Sequence, residues 1–309
     1  MGAALYLALE VTFIGALNPH NVVHGWASPF GTVGAFGPYY TLASSVGLGW
    51  LGTILIIDAL ISPGGTGLVY LAGTSRLSYS LAKVRFIPPV FARIDRRGVP
   101  WFSIIFGGVF GCFLFLPFGG WAKLVGAITA ASSFMYSFAP VAAVSLRKSD
   151  PDRERPYRIP GLSVVAPFSF VVSGLIIYWS GTSNLVKLDL AIVFFLILYV
   201  IARRVDPTQT PIDFKAGSFV VPWVIGLTIF SIFGGSYVGG YTKVFGIGIT
   251  HHLPFWWDIG LIAIFSLIVF YYAVNSWLGP ERVDTNAREA IADANQESLD
   301  LGTAEPFVK

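Results

Sequence analysis

Apolar residues in this chain gather in long unbroken stretches instead of recurring on one face of an amphipathic pattern. Eight such stretches stand out, at 2–17, 49–82, 101–117, 122–146, 163–180, 185–202, 218–235 and 256–278. Seven of them are close to the about 20 apolar residues that a helix needs to cross hydrocarbon, and the second is longer and must tilt, bend or break. The fifth and sixth are joined by only Gly181-Thr182-Ser183-Asn184. The pattern predicts an all-α integral membrane protein with about eight transmembrane helices.

The second stretch carries the most information. Polar side chains fall every fourth residue along it, at Asp58, Ser62, Thr66, Tyr70 and Thr74, so they share one helical face. Lipid tails satisfy none of them, and that face must look at protein or at a water-filled path. Within the stripe, Pro63-Gly64-Gly65 predicts a break, since proline donates no backbone hydrogen bond and glycine tolerates unwinding. Freed carbonyls with the Ser62 and Thr66 hydroxyls form hard oxygen ligands, suited to Na⁺ or to a substrate ammonium. Gly64, Gly65 and Gly67 equally suit close helix packing. Asp58 reads either as an outer-path residue or as a carboxylate in headgroup water, and Glu10, near the middle of the first stretch, as a buried or cavity-facing acid. In the fourth stretch Thr129, Ser132, Ser133 and Tyr136 also share a face, for which packing is the better reading.

Composition agrees: 54% of the 309 residues are hydrophobic and 12% charged, against about 25% charged in soluble domains. The positions of Lys and Arg set the orientation. Sixteen of them fall after the second, fourth, sixth and eighth stretches, and only Lys123, Lys187 and Lys243 fall on the opposite side, with Arg76 inside the second. This predicts both termini in the cytoplasm and a multi-pass protein of the plasma membrane. The 18–48 loop is uncharged apart from its histidines and rich in Trp26, Phe30, Phe36, Tyr39 and Tyr40, which predicts an interfacial cap. His20, His24, His251 and His252 share the outer side and read as interfacial aromatics, not metal ligands. The lone Cys112 excludes an intrachain disulfide and reads as a buried, inert thiol. No signal peptide is visible at Met1-Gly2-Ala3-Ala4, and the acidic 281–309 tail reads as disordered. GxSxG, Walker, HExxH and CxxC motifs are absent, so the reading includes no enzyme, no metal, no cofactor and no nucleic acid.

Two motifs carry a family resemblance. The first is Gly73-Thr74-Ser75-Arg76-Leu77-Ser78-Tyr79-Ser80-Leu81-Ala82-Lys83, followed by Ile87-Pro88-Pro89-Val90-Phe91-Ala92-Arg93 and Val99-Pro100. The second is Arg147-Lys148 leading to Arg155-Pro156-Tyr157-Arg158-Ile159-Pro160-Gly161. Together they resemble the amino acid–polyamine–organocation (APC) permease family, in its eighth helix and in the stretch after its tenth. The resemblance makes residues 1–204 the family's helices seven to twelve, 205–278 an additional helix pair and 279–309 a polar tail. It implies the C-terminal part of the five-plus-five inverted-repeat (LeuT-like) fold, without the two broken helices, first and sixth, that hold substrate in the family.

Carried onto matching positions, it implies a substrate-facing stripe of Tyr70, Thr66, Ser62 and Asp58, and a cation position near Gly65 and Thr66. Gly65 stands where sodium-coupled members favour a hydroxyl, which leaves H⁺ beside Na⁺ as the coupling ion. The function implied is secondary active transport of amino acids or related organic amines by alternating access. The partners implied are the substrate, the lipid bilayer and a missing N-terminal half on the same or a separate chain. The alternative is a non-transporting membrane subunit or scaffold, or a truncated permease fragment.

Overall fold

The structure is a computed structural model, and it describes residues 2–17, 22, 37–114, 121–152, 154–207, 214–234, 243–244, 247–248 and 254–276. Within them the chain is helical apart from turns and a two-stranded antiparallel pair, β1 (Lys243–Val244) with β2 (Ile247–Gly248). Five helical segments, Gly49–Lys83, Leu124–Ser149, Leu162–Trp179, Thr182–Val205 and Trp256–Asn275, are long and apolar enough to cross a membrane. Three shorter apolar helical segments, Gly2–Ala16, Trp101–Cys112 and Val220–Phe233, fall in the other three predicted stretches. Helix is what a hydrocarbon environment demands, because each segment then satisfies its own backbone.

The chain divides into two compact units, residues 1–79 with 92–114, and residues 80–91 with 115–309. The first holds α1 (Gly2–Ala16), α2 (Pro38–Ser45), most of α3 (Gly49–Lys83) and α4 (Trp101–Leu114). Short α2 lies inside the predicted cap and ties two helices together. Tyr39 meets Phe13 of α1 edge-on at 5.1 Å, and the Tyr40 ring lies over Gly52 of α3, 3.0 Å from where a β-carbon would sit. Ahead of α4, the Asp95 carboxylate accepts the backbone N–H groups of Arg97 and Val99, both at 2.9 Å, an Asx-type turn. The remaining aromatics of that cap, the four histidines and the tail from residue 277 lie outside the described residues.

Three expectations need correction here. α3 runs unbroken through Pro63 for 35 residues, about 52 Å at about 1.5 Å per residue. Proline removes one ladder hydrogen bond, to the Ala59 carbonyl, and the bonds around it hold the helix. Cys112 is exposed on α4, because the apolar residues around it form an outward surface instead of a core. Glu10 is exposed too, on a helix with no buried residue, which removes the buried alternative and leaves the cavity-facing one.

The second unit holds α5 (Trp121–Ser149), α6 (Leu162–Trp179), α7 (Thr182–Val205), α8 (Val220–Phe233) and α9 (Phe255–Asn275). α6 packs along α5 and α9, and the core is aromatic. Trp223 of α8 stacks on Phe170 of α6 at 4.4 Å and on Phe134 of α5 at 6.3 Å. Phe219 and Phe270 close around Phe170 at 6.4 and 5.7 Å. Gly174 and Gly226 let these helices approach, for a β-carbon at Gly174 would stand 2.7 Å from the Ser266 Oγ and one at Gly226 would enter the Phe265 ring. The second sequence motif has a local duty: the Arg155 guanidinium donates to the Leu146 and Asp150 carbonyls at 3.2 and 2.6 Å, capping the end of α5.

Trp223 is fully buried, whereas Trp256 is 78% exposed. Trp223→Ala is therefore expected to cost about 3–5 kcal/mol by opening a cavity. Trp256→Ala should lie within about 0.5 kcal/mol of wild type. Denaturation in mixed micelles, followed by tryptophan fluorescence, measures both.

Candidate functional site

The stripe read from the sequence is present on α3 as a row of consecutive turns. Asp58 lies nine residues after Gly49, the first residue of α3, about 14 Å along the axis; Ser62, Thr66, Tyr70 and Thr74 follow at one-turn intervals. All five are exposed, as is Gly65. Among the described residues no hydrogen bond joins Asp58, Ser62, Thr66 or Tyr70 to another element. The apolar neighbours are equally bare: Tyr70 is 72% exposed and Leu60 76%. Between residues 56 and 70 every face of α3 is open.

The half of α3 nearer its C-terminus has a packed face. Leu71 lies against Gly107 of α4, and Ser75, with its hydroxyl donating to the Ala72 carbonyl at 2.9 Å, is 3% exposed. Ser75 is one residue on from Thr74, a rotation of about 100° around the helix. The polar stripe thus runs beside the packed face and not along it. The polar patch on α5 divides the same way. Ser133 and Ser137 are buried, and Ser137 donates to the Phe134 carbonyl at 2.6 Å, while Tyr136 is 64% exposed.

Polar side chains that join one helix to another are elsewhere, on a ladder along α8 that spacing alone does not reveal. Thr228, Ser231 and Gly234 follow one another at intervals of three and so lie on one side of the helix. The Thr228 hydroxyl donates to the Asp189 Oδ2 of α7 at 2.7 Å. The Thr182 hydroxyl, at the start of α7, donates to the Ser231 carbonyl at 3.1 Å and lies 2.6 Å from its Oγ. At the third rung the fully buried Tyr178 of α6 donates to the Asp258 Oδ2 of α9 at 2.8 Å. Gly234 makes room for that bond, since a β-carbon there would strike the Tyr178 hydroxyl and stand 3.0 Å from the Asp258 Oδ2.

Asp189 and Asp258 are not among the acids that the sequence reading singles out. The usable signal was that each lies inside a predicted stretch, at 185–202 and 256–278, where an acid calls for a partner. Among the described residues no cluster of three or more His, Cys, Asp or Glu side chains is placed to hold a metal ion.

Comparison with known proteins places this geometry in context. A family model described as "Amino acid permease" matches residues 1–202. The chain is 31% identical over 278 residues to the glutamate/serine transporter AimA of Bacillus subtilis (strain 168), covering 89% of this chain and 49% of that protein. It is 32% identical over 284 residues to the aspartate-proton symporter of the same organism, covering 91% and 52%. A weaker similarity, 24% over 170 residues, links it to the branched-chain amino acid permease BcaP of that organism, covering 54% and 36%. The chain spans about half the length of the first two relatives. Because 89% of the chain is matched, the similarity runs well past residue 202 and into the α8–α9 region. No solved structure matches the chain.

Tyr178→Phe should destabilise the protein by about 1–3 kcal/mol, the cost of leaving the buried carboxylate without its phenol donor. Gly234→Ala should do comparable damage by separating the same pair. A thermal melt in detergent of these two variants and of Tyr178→Phe/Gly234→Ala checks this, since losses through one shared contact are less than additive.

Proposed function

Because the chain belongs to the amino acid permease family, we propose that it is the C-terminal part of a secondary amino acid transporter that works by alternating access. The observation that carries this is the 31–32% identity, over about nine-tenths of the chain, to two proteins named as a glutamate/serine transporter and an aspartate-proton symporter. Their names favour acidic amino acids as the substrate class. One of them is a proton symporter by name, and Gly65 offers no hydroxyl at the position where sodium-coupled members favour one, so H⁺ is the coupling ion we favour over Na⁺.

In this reading the eight apolar stretches are eight spans, with both termini cytoplasmic, in the fold of the C-terminal part of a five-plus-five inverted repeat. Ser62, Thr66 and Tyr70 face the solute, Asp58 lies on the outer path, and Gly65 with Thr66 borders the coupling-ion position. The bare middle of α3 supports a partner there. Its apolar side chains suit lipid, but a row of hydroxyls with a carboxylate does not. The occupant we favour is the half of the relatives' length that this chain does not span, on the same or another chain. That same half-length favours a second reading, a membrane subunit or scaffold without transport of its own.

Transport in membranes containing this chain and a segment supplying the other half separates the two readings. Uptake of labelled glutamate or aspartate, driven by an inward proton gradient, is expected. Tyr70→Ala should raise the apparent KM about tenfold, equivalent to about 1.4 kcal/mol of lost binding. Thr66→Ala should shift substrate affinity or ion dependence with expression unchanged. Absence of uptake for every amino acid tried, with the assembled complex demonstrably in the membrane, would favour the scaffold. Uptake that neither substitution changes would remove the stripe from the site.

A further inference from the structure

Asp189 lies seven residues into α7, about 10 Å along its axis from the first residue, on a helix long and apolar enough to span. Its carboxyl is half-buried in the seam with α8, and its hydrogen-bond partner there is the buried Thr228 hydroxyl at 2.7 Å. Among the described residues no cation pairs with it.

The charged and titratable groups around the seam are few. On α7 itself the Lys187 ammonium is turned to the Asn184 Oδ1, 3.4 Å away. α8 has no ionisable side chain between Val220 and Phe233. α6 contributes Tyr178, whose hydroxyl is given to Asp258 of α9. On α5, Lys123 lies in the first turn and Tyr136 is exposed.

A hydroxyl is a partner that serves either protonation state. It donates to a carboxylate and accepts from a carboxylic acid, keeping the same two oxygens together. A fixed cation would instead hold the site in one state. Acids at membrane depth are costly and mark proton relays or solute pathways.

We propose that Asp189 is a proton-binding site set into the α7–α8 seam, with Thr228 as the positioning residue that keeps its carboxyl in place both loaded and empty. Loading forms an O–H bond on a carboxylate oxygen with a proton from bulk water, and unloading returns that proton, with no other bond made or broken. The site is separate from the stripe on α3 and does not require the chain to transport anything.

Infrared spectroscopy of the full chain in lipid vesicles, titrated from acid to alkaline pH, tests this. The spectrum of wild type minus Asp189→Asn should contain one carboxylic-acid C=O band that titrates with pH and shifts in D₂O. The band should survive Asp258→Asn, because that carboxyl is held by a different helix pair. It should change frequency in Thr228→Val and return to its place in Thr228→Ser, which keeps the hydroxyl. A titrating band that persists unchanged in Asp189→Asn overturns the proposal. If Asp189→Asn fails to fold, Thr228→Val and Thr228→Ser decide it, and a spectrum identical in wild type and Thr228→Val overturns it equally.

Discussion

Hydrocarbon neither donates nor accepts hydrogen bonds, and the organisation of this protein follows from that constraint. Backbone polarity is absorbed by helices, of which five among the described residues are long and apolar enough to span. Side-chain polarity has to be absorbed by other side chains, by water or by a partner. In the second unit it is absorbed internally, on the ladder that Thr228, Ser231 and Gly234 set along α8. On α3 it is not: Asp58, Ser62, Thr66 and Tyr70 stand exposed on consecutive turns. This difference separates helices whose polar side chains pair with one another from a helix on which a polar row stands exposed.

The ladder also bears on what α8 and α9 are for. The family model ends at residue 202, yet Trp223 of α8 lies at the centre of the aromatic core, stacked on Phe170 and Phe134. Phe270 of α9 packs on the same Phe170 ring. Helices do not gain by the hydrophobic effect when they leave lipid for one another, so shape and interhelical hydrogen bonds have to hold them. The glycines at 174, 226 and 234 supply the first, and Thr228, Thr182 and Tyr178 supply the second. The last two helices are built into the second unit and share its core.

Much of the helical layout was legible in the sequence because a spanning helix is written as an unbroken apolar run, and the motifs around Gly73–Ala92 and Arg155–Gly161 carried the family. A break at Pro63 is not present: the helix continues for turns on both sides of it, and membrane-spanning helices tolerate an internal proline. Cys112 reads as a core thiol because apolar surroundings mean a core in water, whereas in lipid they mean an outer surface. The Asp189–Thr228 and Tyr178–Asp258 pairs could not be read at all, since each joins helices whose contact depends on glycine spacing and aromatic packing far apart in sequence. The stripe on α3 was legible as a pattern, and its purpose rests on what occupies the space beside it.

The central claim, that this stripe borders a water-filled solute path, is tested most directly by chemical accessibility. In a Cys112→Ser background, Asp58→Cys, Ser62→Cys, Thr66→Cys and Tyr70→Cys would be compared with Leu60→Cys, Ile61→Cys and Leu68→Cys. The measurement uses a membrane-impermeant thiol reagent on membranes that also contain the completing segment. The account predicts labelling that recurs every fourth residue along the stripe, with excess glutamate or aspartate slowing reaction at positions 66 and 70 and no labelling at 60, 61 and 68. Labelling that ignores the helical period, or a stripe inert at every position, would contradict it.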